Sequence, residues 1–161
     1  MRVENAFARR FKKAASTRLP LCQPQCHAYA MTQDLKTQGG CTCGAVRFTA
    51  TGAPDRVGLC HCLDCRKHHG AVFYAAAIFP KEAVKITGDT CTHAGRHICA
   101  VCGASVFARS GDEVELHLGA FDEANVFAPT YETWVTRREA WLAPIPGCAQ
   151  YPQDREHDPA S

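Results

Sequence analysis

Seven of the chain's eleven cysteines fall into three tight groups: Cys41 with Cys43; Cys60, Cys62 and Cys65; and Cys99 with Cys102. Gaps of one or two residues are the spacing of metal–thiolate sites, whereas disulfide frameworks usually spread their cysteines more evenly. Eleven is also an odd number, so complete pairing within one chain is impossible. Structural zinc takes four ligands from two pairs distant in sequence. Cys41–Cys43 and Cys99–Cys102 supply two such pairs. If C-T-C is extended, both sulfurs share a face while Thr42 points away. "CAVCG" reads as a knuckle turn, with Gly103 admitting the tight backbone after the second ligand. The two pairs together predict a closed Cys₄ zinc.

That allocation leaves Cys60, Cys62 and Cys65, in "CHCLDCRKHHG", with no fourth cysteine at ligand spacing. His61 sits between two ligands and points to the other face if the segment is extended. His68 and His69, one turn beyond Cys65, are the alternatives: either closes the site as Cys₃His, or the fourth position is open. Zn²⁺ with three thiolates carries a net charge of −1, which makes a poor Lewis acid for a carbonyl and a weak activator of water. Such a soft site suits capture of another thiol, which coordination deprotonates. Arg66 and Lys67 stand beside the cluster, either to offset its charge and hold a substrate carboxylate or as an ordinary solvated turn. Cys91 and Cys148 are isolated and read as ordinary thiols.

The elements that must position these groups read as β-structure. "CTCGAVRFTAT" (41–51) alternates around residues 45–49 and ends at a Gly52–Pro54 turn. "VGLCHC" (57–62) is a short strand, and "AVFYAAAIF" (71–79) is a continuous apolar run suited to a strand buried on both sides. Residues 83–88, 92–99, 104–111 and 113–121 follow as strands between Gly-containing turns. Residues 131–142 begin as a strand and close with a helical turn. Pro144, Pro146 and the polar residues from Gln150 mark the end of order. The expectation is a single, mainly β domain of short strands stapled by zinc, over residues 31–145, with a polar tail at 146–161.

Composition fits a globular protein, with 46% hydrophobic and 21% charged residues. The net charge of +2 hides an asymmetry: residues 1–30 carry six Lys/Arg against Glu4 alone, and residues 31–161 carry twelve against fifteen acids. A globally basic nucleic-acid binder is not expected. Residues 1–30 read as a disordered basic leader, a transit peptide or an upstream extension before Met31. Cys22, Cys26 and His27 within them lack a partner pair at zinc spacing. The longest apolar run spans nine residues, Ala71 to Phe79, against about 20 for a membrane span. Reduced thiolates point to a cytoplasmic location.

The stretches "GGCTCGAVRF", "CHCLDCRKHHGAVF", "CAVCGASVF", "LGAFD" and "YETWVTRREAWL" resemble the glutathione-dependent formaldehyde-activating enzyme (GFA) family, which includes centromere protein V. The resemblance covers residues 35–145. It implies a tent-like β fold of small sheets around two zincs, structural at Cys41, Cys43, Cys99 and Cys102 and catalytic at Cys60, Cys62 and Cys65. It also implies a carbon–sulfur lyase that joins formaldehyde to the glutathione thiol, or the reverse. In that case His68, His69 or a water is the expected proton donor, and Arg66, Lys67 and Arg109 are the candidate contacts for glutathione carboxylates. The alternatives are a zinc-stapled binding module with both metals structural, and a thiolate cluster serving redox or metal buffering.

Overall fold

The computed structural model describes residues 35–155, so the readings of residues 1–30 and of the last six residues lie outside it. Among the described residues eleven strands form two sheets. A small antiparallel sheet joins β1 (Lys36–Gly40), β2 (Arg47–Thr51) and β5 (Val84–Thr87) in the order β1-β2-β5. The large sheet holds β3 (Arg56–Cys60), β4 (Tyr74–Pro80), β6 (Thr90–His93), β7 (Arg96–Cys99), β8 (Ser105–Ser110), β9 (Glu113–His117), β10 (Tyr131–Thr133) and β11 (Ala149–Gln150). Its order is β11-β10-β3-β4-β9-β8-β7-β6, antiparallel except that β10 runs parallel to both β3 and β11.

Alternation along the strands builds the core. Val46, just before β2, and Phe48 and Ala50 of β2 pack with Ala77, Phe79, Phe107, Val114 and Leu116 from one face of the large sheet. Phe79 and Leu116 are wholly buried. β4 is buried continuously from Ala76 to Phe79, as its unbroken apolar run predicts. Its other face looks away from the core. With alternate residues of β3, β9 and β10 it floors an open cleft of about 1000 Å³. Gly58 lies under Tyr131: a Cβ at residue 58 would sit 2.2 Å from the ring, so glycine lets the aromatic ring lie on the sheet.

Four features depart from the sequence reading. Residues 92–99 do not form one strand; they fall within a β6–β7 hairpin turning at Ala94 and Gly95, both at positive φ as a type I′ turn requires. Cys41 and Cys43 sit in a turn before β2, closed by Gly44 N–H to Cys41 O at 3.1 Å, so a tight turn and not strand alternation converges their sulfurs. A seven-residue helix, α1 (Leu63–His69), follows β3, and no residue of it is buried. Finally, order continues past Pro146. β11 pairs with β10, Tyr151 N–H bonds Glu132 O, and Trp134 N–H bonds Gln153 O, so residues 145–155 form a strap across the edge of the large sheet.

Candidate metal centres and the cleft beside them

Four sulfurs at 2.3 Å around a tetrahedral ion stand about 3.8 Å apart. Cys43 Sγ lies 3.5 Å from Cys41 Sγ and 3.8 Å from Cys99 Sγ, and the four sulfurs of Cys41, Cys43, Cys99 and Cys102 all lie within 4.8 Å of one another. The backbone fits the same purpose. Val46 N–H donates to Cys41 Sγ at 3.2 Å and Val101 N–H to Cys99 Sγ at 3.4 Å, the pattern that steadies thiolate ligands. The Val46 N–H is also the chief reason the Cys41 thiol is held down to about 6, so it ionises readily. Gly103 adopts φ +73° behind Cys102 and returns its N–H to Cys99 O at 2.9 Å, completing the knuckle. The cluster ties the turn before β2 to the end of β7 and accommodates a tetrahedral metal.

The second cluster sits where β3 ends and α1 begins. Cys60, Cys62 and Cys65 bring three sulfurs within 4.8 Å of one another, and among the described residues no histidine, aspartate or glutamate joins them. Cys62 is the N-cap of α1: its sulfur accepts the Cys65 N–H at 3.4 Å, while Cys60 Sγ accepts the Cys62 N–H at 3.5 Å. A hydrogen bond from Cys65 is the main reason Cys60 is held down to about 5, and the same contact pushes Cys65 well up. Cys60 and Cys65 thus compete for a proton, the situation that a cation relieves. The donors fit a metal here as well.

His61 does turn away from the sulfurs, as the extended reading implies. It is fully buried and its Nε2 meets Glu132 Oε2 at 2.8 Å. Glu132, 1% exposed, also accepts from Arg138 and, through Oε1, from Ile145 N–H at 2.7 Å and Gln150 Nε2 at 2.9 Å. Burial alone would push this carboxyl up; the four donors outweigh burial and hold it at about 2. The strap is therefore pinned to the strand that supports Cys60.

His68 and His69 are engaged elsewhere. His68 Nε2 lies 2.9 Å from Ser105 Oγ, which reaches on to His117 Nδ1 at 3.3 Å. His69 stacks on Tyr74 and meets the His117 ring edge-on. Burial, followed by the repulsion a charged ring would meet from the adjacent histidine and Arg96, holds His69 at about 4 and His117 at about 3, so both are neutral near pH 7. Arg66 is spent on Glu139 and on Arg137 O. Lys67 is exposed on α1, and exposed Arg109 lies over the Phe107 ring. None of these three cations lines the cleft that holds the three sulfurs.

The cleft is furnished by residues that carry no motif. Tyr74, the register partner of Cys60, donates its hydroxyl to Glu115 Oε2 at 2.7 Å. Burial first, then Glu115, keeps this phenol protonated. Outside the cleft lining, Arg96 Nη2 reaches from β7 to within 4.0 Å of Cys65 Sγ. Arg56 and Arg155 are the arginines of the cleft wall. No local signal marks them, since sheet pairing and the strap bring them there.

Comparison with known proteins adds one result. No curated protein matches the chain significantly. The family model described as GFA, glutathione-dependent formaldehyde-activating enzyme, matches residues 36–137, a span holding all seven clustered cysteines. The chain belongs to the glutathione-dependent formaldehyde-activating enzyme family.

Proposed function

We propose that this protein is a zinc-dependent carbon–sulfur lyase, making or breaking the bond between a small thiol and an aldehyde as in S-hydroxymethylglutathione. The observation that supports it is the asymmetry of the two clusters. Four sulfurs complete the first, whereas the second offers three and opens on a cleft of about 1000 Å³. Zinc, if held by Cys60, Cys62 and Cys65, would supply the acidity that converts a substrate thiol into a thiolate.

The chain's own residues do the rest. Backbone N–H groups at Cys62 and Cys65 hold the ligand sulfurs in place. Arg96, beside Cys65, offsets the negative charge of the thiolates. The cleft holds thiol and aldehyde side by side, which is where most of the rate gain arises. In the lyase direction the carbon–sulfur bond breaks and its electron pair goes to sulfur. The hydroxyl proton passes to Tyr74 Oη as the carbonyl forms, while Tyr74 hands its own proton to Glu115 Oε2, and addition runs the same steps backwards. Tyr74 Oη, bonded to Glu115, lines the cleft beside the sulfurs and takes the proton-handling part expected of His68 or His69.

Exchange between formaldehyde, glutathione and their adduct, followed by NMR exchange spectroscopy, tests the reading. The wild type is expected to accelerate exchange above the rapid uncatalysed rate, and Cys62→Ser to abolish the gain while keeping the fold. Equal rates for the two proteins would end the lyase reading and leave a zinc-stapled binding module.

A further inference from the structure

We infer that Arg155, carried by the strap, recognises a carboxylate one peptide unit from the reacting thiol; this rests on the function just proposed. The span matching the family ends at residue 137, so the strap lies beyond it. The strap is nonetheless built firmly. Ala149 N–H bonds Thr130 O, Val135 N–H bonds Tyr151 O, Thr136 Oγ1 bonds Pro152 O, and Trp134 Nε1 bonds Asp154 Oδ1 at 2.7 Å. These contacts deliver Arg155 over the Tyr131 ring, Cζ 4.6 Å from the centroid, on the wall of the cleft that holds the three sulfurs.

Charge accounting singles out this residue. Arg56, the other arginine of the wall, is clamped to Glu113 by two bonds of 2.5 and 2.6 Å. Of the acids in the wall, Glu115 holds Tyr74, Asp112 holds Lys81 and Asp154 holds Trp134. Asp55 lies on the same rim, but no ion pair joins it to Arg155 among the described residues, whose guanidinium faces the ring instead. Among the described residues no hydrogen bond or ion pair engages the Arg155 guanidinium fork, which stacking on Tyr131 pre-orients.

The distance suits the ligand class. Tyr131 pairs with Gly58 and Thr133 with Cys60. At about 3.3 Å per residue, Tyr131 therefore stands about 7 Å along the sheet from Cys60. A cysteinyl sulfur and the carboxylate of a following glycine are separated by a length of that order in an extended chain. A thiol without such a carboxylate makes no use of Arg155.

The test compares wild type, Arg155→Ala and Arg155→Lys, with thermal unfolding as the folding control. Calorimetry with S-methylglutathione, whose sulfur cannot form a thiolate, reads carboxylate recognition apart from activity. Exchange kinetics with glutathione and with uncharged 2-mercaptoethanol read selectivity. Arg155→Ala is expected to weaken S-methylglutathione binding about tenfold, the loss of one charge-assisted contact. It should lower the glutathione-to-mercaptoethanol ratio of kcat/KM by the same factor, mainly through KM, and Arg155→Lys should recover part of both. Unchanged binding and an unchanged ratio would overturn the inference, as would an equal fall for both thiols. A wild type that binds S-methylglutathione through Arg155 but catalyses no exchange would refute the lyase reading and leave the recognition site standing.

Discussion

Replacing Glu132 by glutamine tests how the strap is held. Oε1 of Glu132 receives the Ile145 N–H and Gln150 Nε2, while Oε2 receives His61 Nε2 and Arg138 Nη1. Every partner is a donor. An amide can satisfy only one of these pairs, because its NH₂ end must face the other pair whichever way it is turned. Each unpaired donor costs about 1–3 kcal/mol, less where Arg138 or Gln150 can turn to water. A second route gives a similar size. Burial opposes ionisation of Glu132, yet its four donors hold it at about 2 against an ordinary 4.5. By linkage that is worth about 3 kcal/mol at neutral pH, present above pH 4.5 and lost as the pH falls through about 2. Glu132→Gln is therefore expected to destabilise the metal-loaded protein by about 3 kcal/mol in urea unfolding at pH 7.5, lowering Tm by roughly 10 °C. Amide hydrogen exchange at Ala149 and Tyr151, which anchor the strap to Thr130 and Glu132, should speed up selectively. A loss below about 1 kcal/mol with unchanged exchange at those amides would refute the clamp.

Two further perturbations follow from the structure. His69 and His117 resist protonation in the fold, so below their ordinary 6.5 the unfolded chain binds protons that the folded chain does not. Stability is complete above pH 6.5 and drains as the pH falls toward 3–4. His117→Gln should shrink the stability loss between pH 7.5 and 5.5 by about 1 kcal/mol in parallel denaturant titrations; identical losses would contradict the assignment. Gly58→Ala places a methyl 2.2 Å from the Tyr131 ring. It should cost about 1–3 kcal/mol in thermal unfolding and weaken S-methylglutathione binding by tilting the ring that carries Arg155. An unchanged Tm would mean that the ring does not rest on residue 58.

Much of this design was legible in the chain. Cysteine spacing partitioned seven residues into a group of four and a group of three, because metal ligands must be local pairs brought together by the fold. The apolar run ending at Phe79 and the alternation around residues 45–49, which buries Val46 and Phe48, marked core strands, since period and burial are local properties. What escaped reading depends on long-range partners. α1 buries no residue, so no apolar stripe announces it; it forms because Cys62 caps its first turn. The strap reads as a polar tail after Pro146, and its order comes from Glu132 and Trp134, more than ten residues away along the chain. Arg96 and Arg155 reach the second cluster and its cleft only because β7 and β11 lie where sheet pairing puts them. Arg66 and Lys67, adjacent to the cluster in sequence, face a salt bridge and solvent instead.

We propose that Cys60, Cys62 and Cys65 hold a metal with a position open to a thiol, while Cys41, Cys43, Cys99 and Cys102 hold a closed one. Cobalt substitution with glutathione titration tests it most directly. Two metal ions per chain are expected, with the visible bands of one shifting as glutathione is added and those of the other unmoved. Cys62→Ser should remove the responsive ion alone. Two ions whose spectra both ignore glutathione, or a second ion lost only when His68 and His69 are replaced by alanine, would contradict the account.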